Sequence, residues 1–271
     1  MATRKAALDT VRVAFGSDGF ATLTMTRPKV HNALSDGMIA AMRERLAEVR
    51  KEAPRGLFIR AEGKSFSAGA DLDWMKRAAT YSKEENVADA MELSGMLHDL
   101  ATLPLPTVAL VQGAAIGGGV GIVSACDLAV GVSSAKFMLS EVKLGLIPAT
   151  ISPYVVQRIG AQQSRRFFLT AERIDALEAR RIGLLHEVVE DSNALDTFEK
   201  WAKDHFSVNA PQAMATSKAL IDVVAHKDIT PELRLETAKM LADQRDSDEC
   251  REGIAAFFEK RDGPFVLPES K

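Results

Sequence analysis

Two segments rich in glycine and alanine, FSAGADL at 66–72 and GAAIGGGVGI at 113–122, are places where the main chain itself could do chemistry. Glycine lacks a Cβ, which frees its backbone angles and lets amide groups approach a ligand closely. Each segment follows a strand-like run and leads toward a helix, whose first amides have no intrahelical acceptor. Two such amides converging on one carbonyl oxygen would form an oxyanion hole, and the positive end of the helix after Gly118 would add to it, favouring an enolate formed from a thioester. The same glycines would equally serve tight packing of a helix on a sheet. Spacing alone leaves both readings open.

Other chemistries fit less well. The run Gly117, Gly118, Gly119, Val120, Gly121 contains G-x-G, but Ile122 and Val123 stand where a dinucleotide fingerprint needs its third small residue. Glu141 lies about twenty residues further on, as that fingerprint asks of an acid, yet the strand LAVGVS that should carry it ends near Ser133. No G-x-x-x-x-G-K-[ST] phosphate loop occurs. Ser67 and Ser140 adjoin the small-residue segments but neither forms G-x-S-x-G, which argues against a serine hydrolase. His31, His98, His186 and His205 lie in dissimilar contexts without ligand spacing, so no metal site is expected. Cys126 and Cys250 are far apart, which disfavours a disulfide framework and fits a reducing compartment.

The elements that must position these segments follow from periodicity. VRVAF and FATLTMTRP alternate as two strands about the turn GSDG. ALSDGMIAAMRERLAEVRKE places Met38, Met42, Leu46 and Val49 at helical spacing, capped by Ser35 or Asp36. GLFIRAEG reads as a strand, and a helix from about Glu84 to Leu103 would carry Val87, Met91, Ser94 and Leu97 on one face. TVALVQG is a strand, the glycine run opens a helix, and LAVGVS is a strand again. This rhythm predicts a largely parallel sheet with crossover helices. Past GLIPATISP the chain reads as helices interrupted by a turn, a short strand LLHEVVE, and amphipathic helix from about Asp191 onward. No Pro, Gly or Ser linker separates the halves, so the C-terminal part is expected to pack on the core or on a neighbouring subunit.

Composition bounds the function classes. The 271 residues suffice for one full core. A hydrophobic share of 46%, 26% charged residues and a formal net charge of −3 are ordinary for a soluble globular protein and supply no basic field for nucleic acid or an anionic membrane. Leu100 to Cys126 holds no charge and is long enough to span a bilayer, but Pro104, Pro106 and five glycines would break a lipid-exposed helix, so a buried strand, turn and helix are the better reading. The start, MATRKAALDTVRVAF, has no apolar stretch of signal-peptide length, and a cytoplasmic location is expected.

The motifs RPKVHNALS, KSFSAGADL, LPLPTVALVQGAAIGGGV, SACDLAV, AKFMLSEVKLGLIPA and EGIAAFFEKR occur in the order and spacing of the enoyl-CoA hydratase/isomerase, or crotonase, superfamily, and the chain resembles it over nearly its whole length. Within it, SAGADLDWM, GGGVGIVSACD and SEVKLGLIPATISPYVV look most like the bacterial 3-methylglutaconyl-CoA hydratases of leucine degradation. The resemblance implies an α/β fold, with a crotonase-like ββα-spiral core over 1–190 and a C-terminal helical region over 191–271 for packing and oligomerisation. It implies that the amides of Ala70 and Gly118 form the oxyanion hole and that Glu141 is the general acid/base. The superfamily's two-glutamate hydratases carry a first carboxylate where this chain has Gly121, so only one of the pair is present. By similarity the main chain of Ala68 and Ala70 meets the adenine region of coenzyme A, Lys29 and Lys64 lie near its phosphates, and Lys260 reaches those of a neighbouring subunit. Trp74 and Met75 would line the acyl pocket, and Asp71 resembles a structural neighbour of the site. The implied substrate is an acyl-CoA thioester with no permanently bound cofactor, and the implied assembly is a homotrimer or a dimer of trimers. Hydration of an α,β-unsaturated acyl-CoA leads. A double-bond isomerase using the single glutamate is the rival, and a silent acyl-CoA or RNA binder is the reading from another class; the acidic balance works against RNA.

Overall fold

In the computed structural model, residues 9–268 are described. Five strands make up most of the first sheet. β1 (Val11–Phe15) pairs antiparallel with β2 (Ala21–Met25), and β2 runs parallel to β3 (Leu57–Ala61), which neighbours β5 (Thr107–Val111) and then β7 (Leu128–Val132). A late strand, β10 (Glu187–Val189), completes this six-stranded sheet. Every residue of β5 is buried, as expected of a central parallel strand covered on both faces.

A second sheet, absent from the sequence reading, sits beside the first. β4 (Ser65–Ser67), β6 (Ala114–Ile116) and β8 (Lys136–Met138) run parallel in the spatial order β4-β6-β8, and β9 (Ile174–Asp175) closes it antiparallel. Each long strand β3, β5 and β7 is followed by a short one, β4, β6 and β8, and then by helix. This is the repeating ββα turn of the crotonase fold, as expected.

Helix α1 (Asp36–Glu52) buries Met38, Met42, Leu46 and Val49, and its cap is Ser35, whose Oγ accepts from the Met38 amide at 3.3 Å. A short helix not expected from periodicity, α2 (Leu72–Ala78), follows the first small-residue segment and is capped by Asp71. Helix α3 (Lys83–Ala101) begins with a capping box between Ser82 and Glu85. Its buried residues are Met96, Leu97 and Leu100; Val87 and Met91, expected on one face with Leu97, are exposed. The reason is geometric: only the last turns of α3 cover the core, where Arg43 of α1 reaches Asp99 at 2.9 Å. Helix α4 (Gly118–Ala125) is buried almost throughout.

Helix α5 (Ser152–Thr170) is kinked at Gly160, which has φ 76°. α6 (Ala176–Arg181) leads into β10, and α7 (Ser192–Ser207) lies on β7 and β10. The chain ends in α8 (Pro211–Val224), α9 (Pro231–Arg245) and α10 (Asp248–Glu259). Lys218 of α8 is anchored to Asp127, at the end of α4, at 2.8 Å. Ile221, Leu235, Leu241, Ile254, Phe257 and Phe258 of these three helices are exposed. Among the described residues no helix is long and apolar enough to cross a membrane.

Candidate active site

The three short parallel strands β4, β6 and β8 end side by side, at Ser67, Ile116 and Met138. With neighbouring strands about 4.8 Å apart, the residues that follow them necessarily meet. These are Ala68–Ala70, Gly117–Gly118 and Leu139–Glu141, so the two small-residue segments and the glutamate come together at one edge.

The first segment is held almost completely. The Ala68 amide donates to His31 O at 2.9 Å, the Gly69 amide to Ser67 Oγ at 3.4 Å, and the Asp71 amide to Leu34 O at 2.8 Å. Leu34 in turn donates to Gly69 O at 2.7 Å, forming a parallel bridge with Ala70 that points the Ala70 amide away from Leu34. Among the described residues that amide has no acceptor, and Ala70 is exposed while Gly69 is buried. Gly69 adopts φ +88°, and a Cβ there would stand 3.0 Å from Ile116 O, so the turn demands glycine and lies directly against the second segment.

Beneath the turn is a brace missed in the sequence reading. Asn32 is fully buried; its Nδ2 donates to Glu62 O and Ser65 O, each at 2.9 Å, and its Oδ1 accepts from the Arg27 amide at 2.8 Å. Ser67 Oγ donates to Asn32 O at 2.9 Å. Arg27 pairs with Asp71 at 2.9 Å, and this pairing together with the amides at the start of α2 holds the Asp71 carboxyl below its usual range despite partial burial, which pushes it up. The signal was present in RPKVHNALS, where polar residues interrupt a loop between buried strands.

In the second segment the Gly117 amide donates to Met138 O at 2.9 Å, which ties the start of α4 to β8. Gly118 opens α4 without any side-chain cap, so its amide is one of the unpaired first-turn donors. The glycines here also admit close packing. A Cβ on Gly118 would lie 2.7 Å from Leu34 Cδ1, and one on Gly119 would lie 2.8 Å from Ser67 O. Free donors and tight contact, the two alternatives the sequence left open, therefore coexist.

Glu141 begins a 3-10 turn, Glu141–Leu144, just past β8. A Cβ on Gly117 would sit 3.0 Å from Glu141 Oε1, and Oε2 is buried without a hydrogen-bond partner among the described residues. Burial pushes this carboxyl above the ordinary glutamate range, opposed only by its own amide. Val142, Leu144, Leu146 and Ile147, which follow it, are exposed and apolar.

The remaining sequence-derived residues are distributed as follows. Lys29, in the 3-10 turn Pro28–Val30, and Lys64, between β3 and β4, are both exposed on adjacent loops, since a Cβ on Gly63 would meet Pro28 Cβ at 2.7 Å. Ala68 is exposed at the other end of β4 from Lys64. Lys260, exposed at the end of α10, is not brought near them by any contact among the described residues. The segment after it runs to the opposite end of the sheet, where Arg55 donates to Phe265 O at 2.5 Å. Trp74 is buried in the core, its indole N–H donating to Asp89 at 2.8 Å, and Met75 is half-buried. Gly121 is enclosed by Ile151 and Leu97. A concavity of about 580 Å³ lined by His98, Asp127, Tyr154, Arg158, His186 and Lys218 does not include Glu141.

Comparison with known proteins agrees with this architecture. Residues 16–267 match the family model described as enoyl-CoA hydratase/isomerase. The crystal structure of an enoyl-CoA hydratase from Shewanella pealeana is similar with a TM-score of 0.91 and 38% identity, covering 96% of this chain and 98% of that one. The mitochondrial enoyl-CoA hydratase domain-containing protein 2 of Homo sapiens is 32% identical over 263 residues, 94% of this chain and 89% of the relative. The mitochondrial methylglutaconyl-CoA hydratase of Homo sapiens is 32% identical over 249 residues, 90% of this chain and 72% of the relative. From the ββα turns, the meeting of three strand ends and these likenesses together, the chain belongs to the enoyl-CoA hydratase/isomerase (crotonase) family, whose enzymes act on acyl-CoA thioesters.

Proposed function

We propose that the protein is an acyl-CoA hydro-lyase that adds water reversibly to an α,β-unsaturated acyl-CoA, converting 3-methylglutaconyl-CoA to 3-hydroxy-3-methylglutaryl-CoA. The observation that carries this reading is the Glu141 carboxyl, with one buried oxygen unpartnered, beside two main-chain amides that have no acceptor among the described residues. The Ala70 and Gly118 amides hold the thioester oxygen. As the water oxygen bonds to C3, the alkene pair moves into the thioester and is held there as the enolate. Glu141 takes a proton from that water and passes it to C2 as the enolate collapses, so one water supplies both H and OH and the carboxylate is restored. A carboxyl raised by burial is suited to both halves of this transfer.

In this reading the main chain of Ala68 and Ala70 meets the adenine of coenzyme A, Lys29 and Lys64 face its phosphates, and Trp74 and Met75 wall the acyl group. Lys260 serves the phosphates of a neighbouring subunit in a homotrimer or a dimer of trimers, to which 191–271 contributes. With two distant thiols and a net charge of −3, the working compartment is the reducing cytoplasm, and neither nucleic acid nor membrane is a partner. The methylglutaconyl acyl group is favoured by the SAGADLDWM and SEVKLGLIPATISPYVV stretches and by the likeness to a methylglutaconyl-CoA hydratase.

Incubating purified protein with 3-methylglutaconyl-CoA yields a product heavier by one water. One observation favours a second reading: Gly121 supplies no carboxylate to share the work, and a lone Glu141 shuttling a proton between carbons would isomerise a double bond. A product of unchanged mass decides for that isomerase.

A further inference from the structure

The N-terminal end of helix α4 lies against Glu141, through the preceding residue Gly117. Gly121 donates to Gly117 O at 3.1 Å, so the two glycines lie on the same side, about 6 Å apart along the axis. Gly117 looks onto the Glu141 carboxyl. At Gly121 a Cβ would lie 2.5 Å from Ile151 Cγ2, 3.1 Å from Ile151 Cβ and 3.5 Å from Leu97 Cδ1. Rotating Ile151 about χ1 would move its Cγ2 but leave its Cβ in place, and a β-branched side chain has few rotamers to choose from. Ile151 is 2% exposed and caps α5, so its backbone is not free to withdraw.

We infer that Ile151 is a specificity-determining residue: it fills the space in front of Gly121, closes the inner end of the site with hydrocarbon one helical turn from Glu141, and keeps any second side chain off this face of α4. The inference rests on the reading of Glu141 as the reacting acid. It assigns the size of the acyl substituent accepted beside Glu141 to one side chain, and it explains why the neighbouring helix position is a glycine.

Two measurements test it. Melting temperatures of Gly121→Glu, Ile151→Ala and the double variant are compared first. Gly121→Glu is expected to be strongly destabilised or to fail to fold, while the double variant melts close to Ile151→Ala. A single Gly121→Glu that melts with the wild type, or a double variant no better than that single one, overturns the inference without reference to activity. Next, kcat/KM is measured for the wild type and Ile151→Ala on crotonyl-CoA and on enoyl-CoA esters with bulkier substituents at C3. Ile151→Ala is expected to shift the ratio toward the bulkier esters by at least tenfold, and an unchanged ratio overturns the inference. A wild type that turns over no ester in the panel sinks the functional reading instead, and the melting comparison then decides the packing claim alone.

Discussion

Glu141 concentrates the chemistry in one carboxyl whose Oε2 is buried and unpartnered, and burial makes its charged form costly. Glu141→Gln is expected to lower turnover by about 10²- to 10⁴-fold, the usual range for losing a general acid/base, while binding of the acyl-CoA measured by calorimetry persists. Full turnover in that variant would move the catalysis elsewhere. The same substitution should change stability in a pH-dependent way. Because the folded carboxyl is raised, Glu141 is best tolerated in its neutral form. Its contribution is fully present below the ordinary value of 4.5 and is lost as pH rises through the folded pKa. Glu141→Gln should therefore match the wild type in urea denaturation at acid pH and exceed it at neutral pH. Equal stability at neutral pH would contradict the burial argument. Glu141 itself was legible from its motif, but its unpaired oxygen was not, because that depends on what β8 and α4 place around it.

At the scale of elements, the strand–turn–helix joints decide where amides point. Three of the four amides in 68–71 are consumed by His31, Ser67 and Leu34, and that consumption leaves Ala70 as the donor that faces outward. Gly118→Val should displace the other donor, since a Cβ there meets Leu34 Cδ1 at 2.7 Å. The expected loss in kcat is about 10²- to 10³-fold, typical of removing one oxyanion donor; a kcat within a factor of three of wild type would refute the role. Asn32→Ala should cost about 2–4 kcal/mol in chemical denaturation, because it strips the Glu62 and Ser65 carbonyls and the Arg27 amide of a buried partner. A change below about 1 kcal/mol would mean water replaces the side chain. The long strands and α1 were legible because their apolar periods are regular. The strands β4, β6 and β8 were not: three residues are too few to show a period, and their pairing is between segments far apart in sequence.

For the whole molecule, the three last helices leave Ile254, Phe257 and Phe258 exposed on α10 and Ile221, Leu235 and Leu241 exposed on α8 and α9. Under the proposed trimeric assembly these side chains meet a neighbouring copy. Replacing Phe257 and Phe258 together by Asp is then expected to reduce the mass measured by light scattering to that of one 29.3 kDa chain. A wild type already of that mass would remove the proposal. Residue types and their periods by themselves determined the α/β class, the long strands, the buried face of α1 and the two segments able to offer bare amides, because these depend on local side-chain chemistry and backbone freedom. Only the tertiary structure decided that β4, β6 and β8 end side by side, that His31, Ser67 and Leu34 take up the amides on either side of Ala70, and that Ile151 closes the space at Gly121. Those outcomes are set by contacts between residues about twenty to fifty positions apart, where no local pattern can record which partner is chosen.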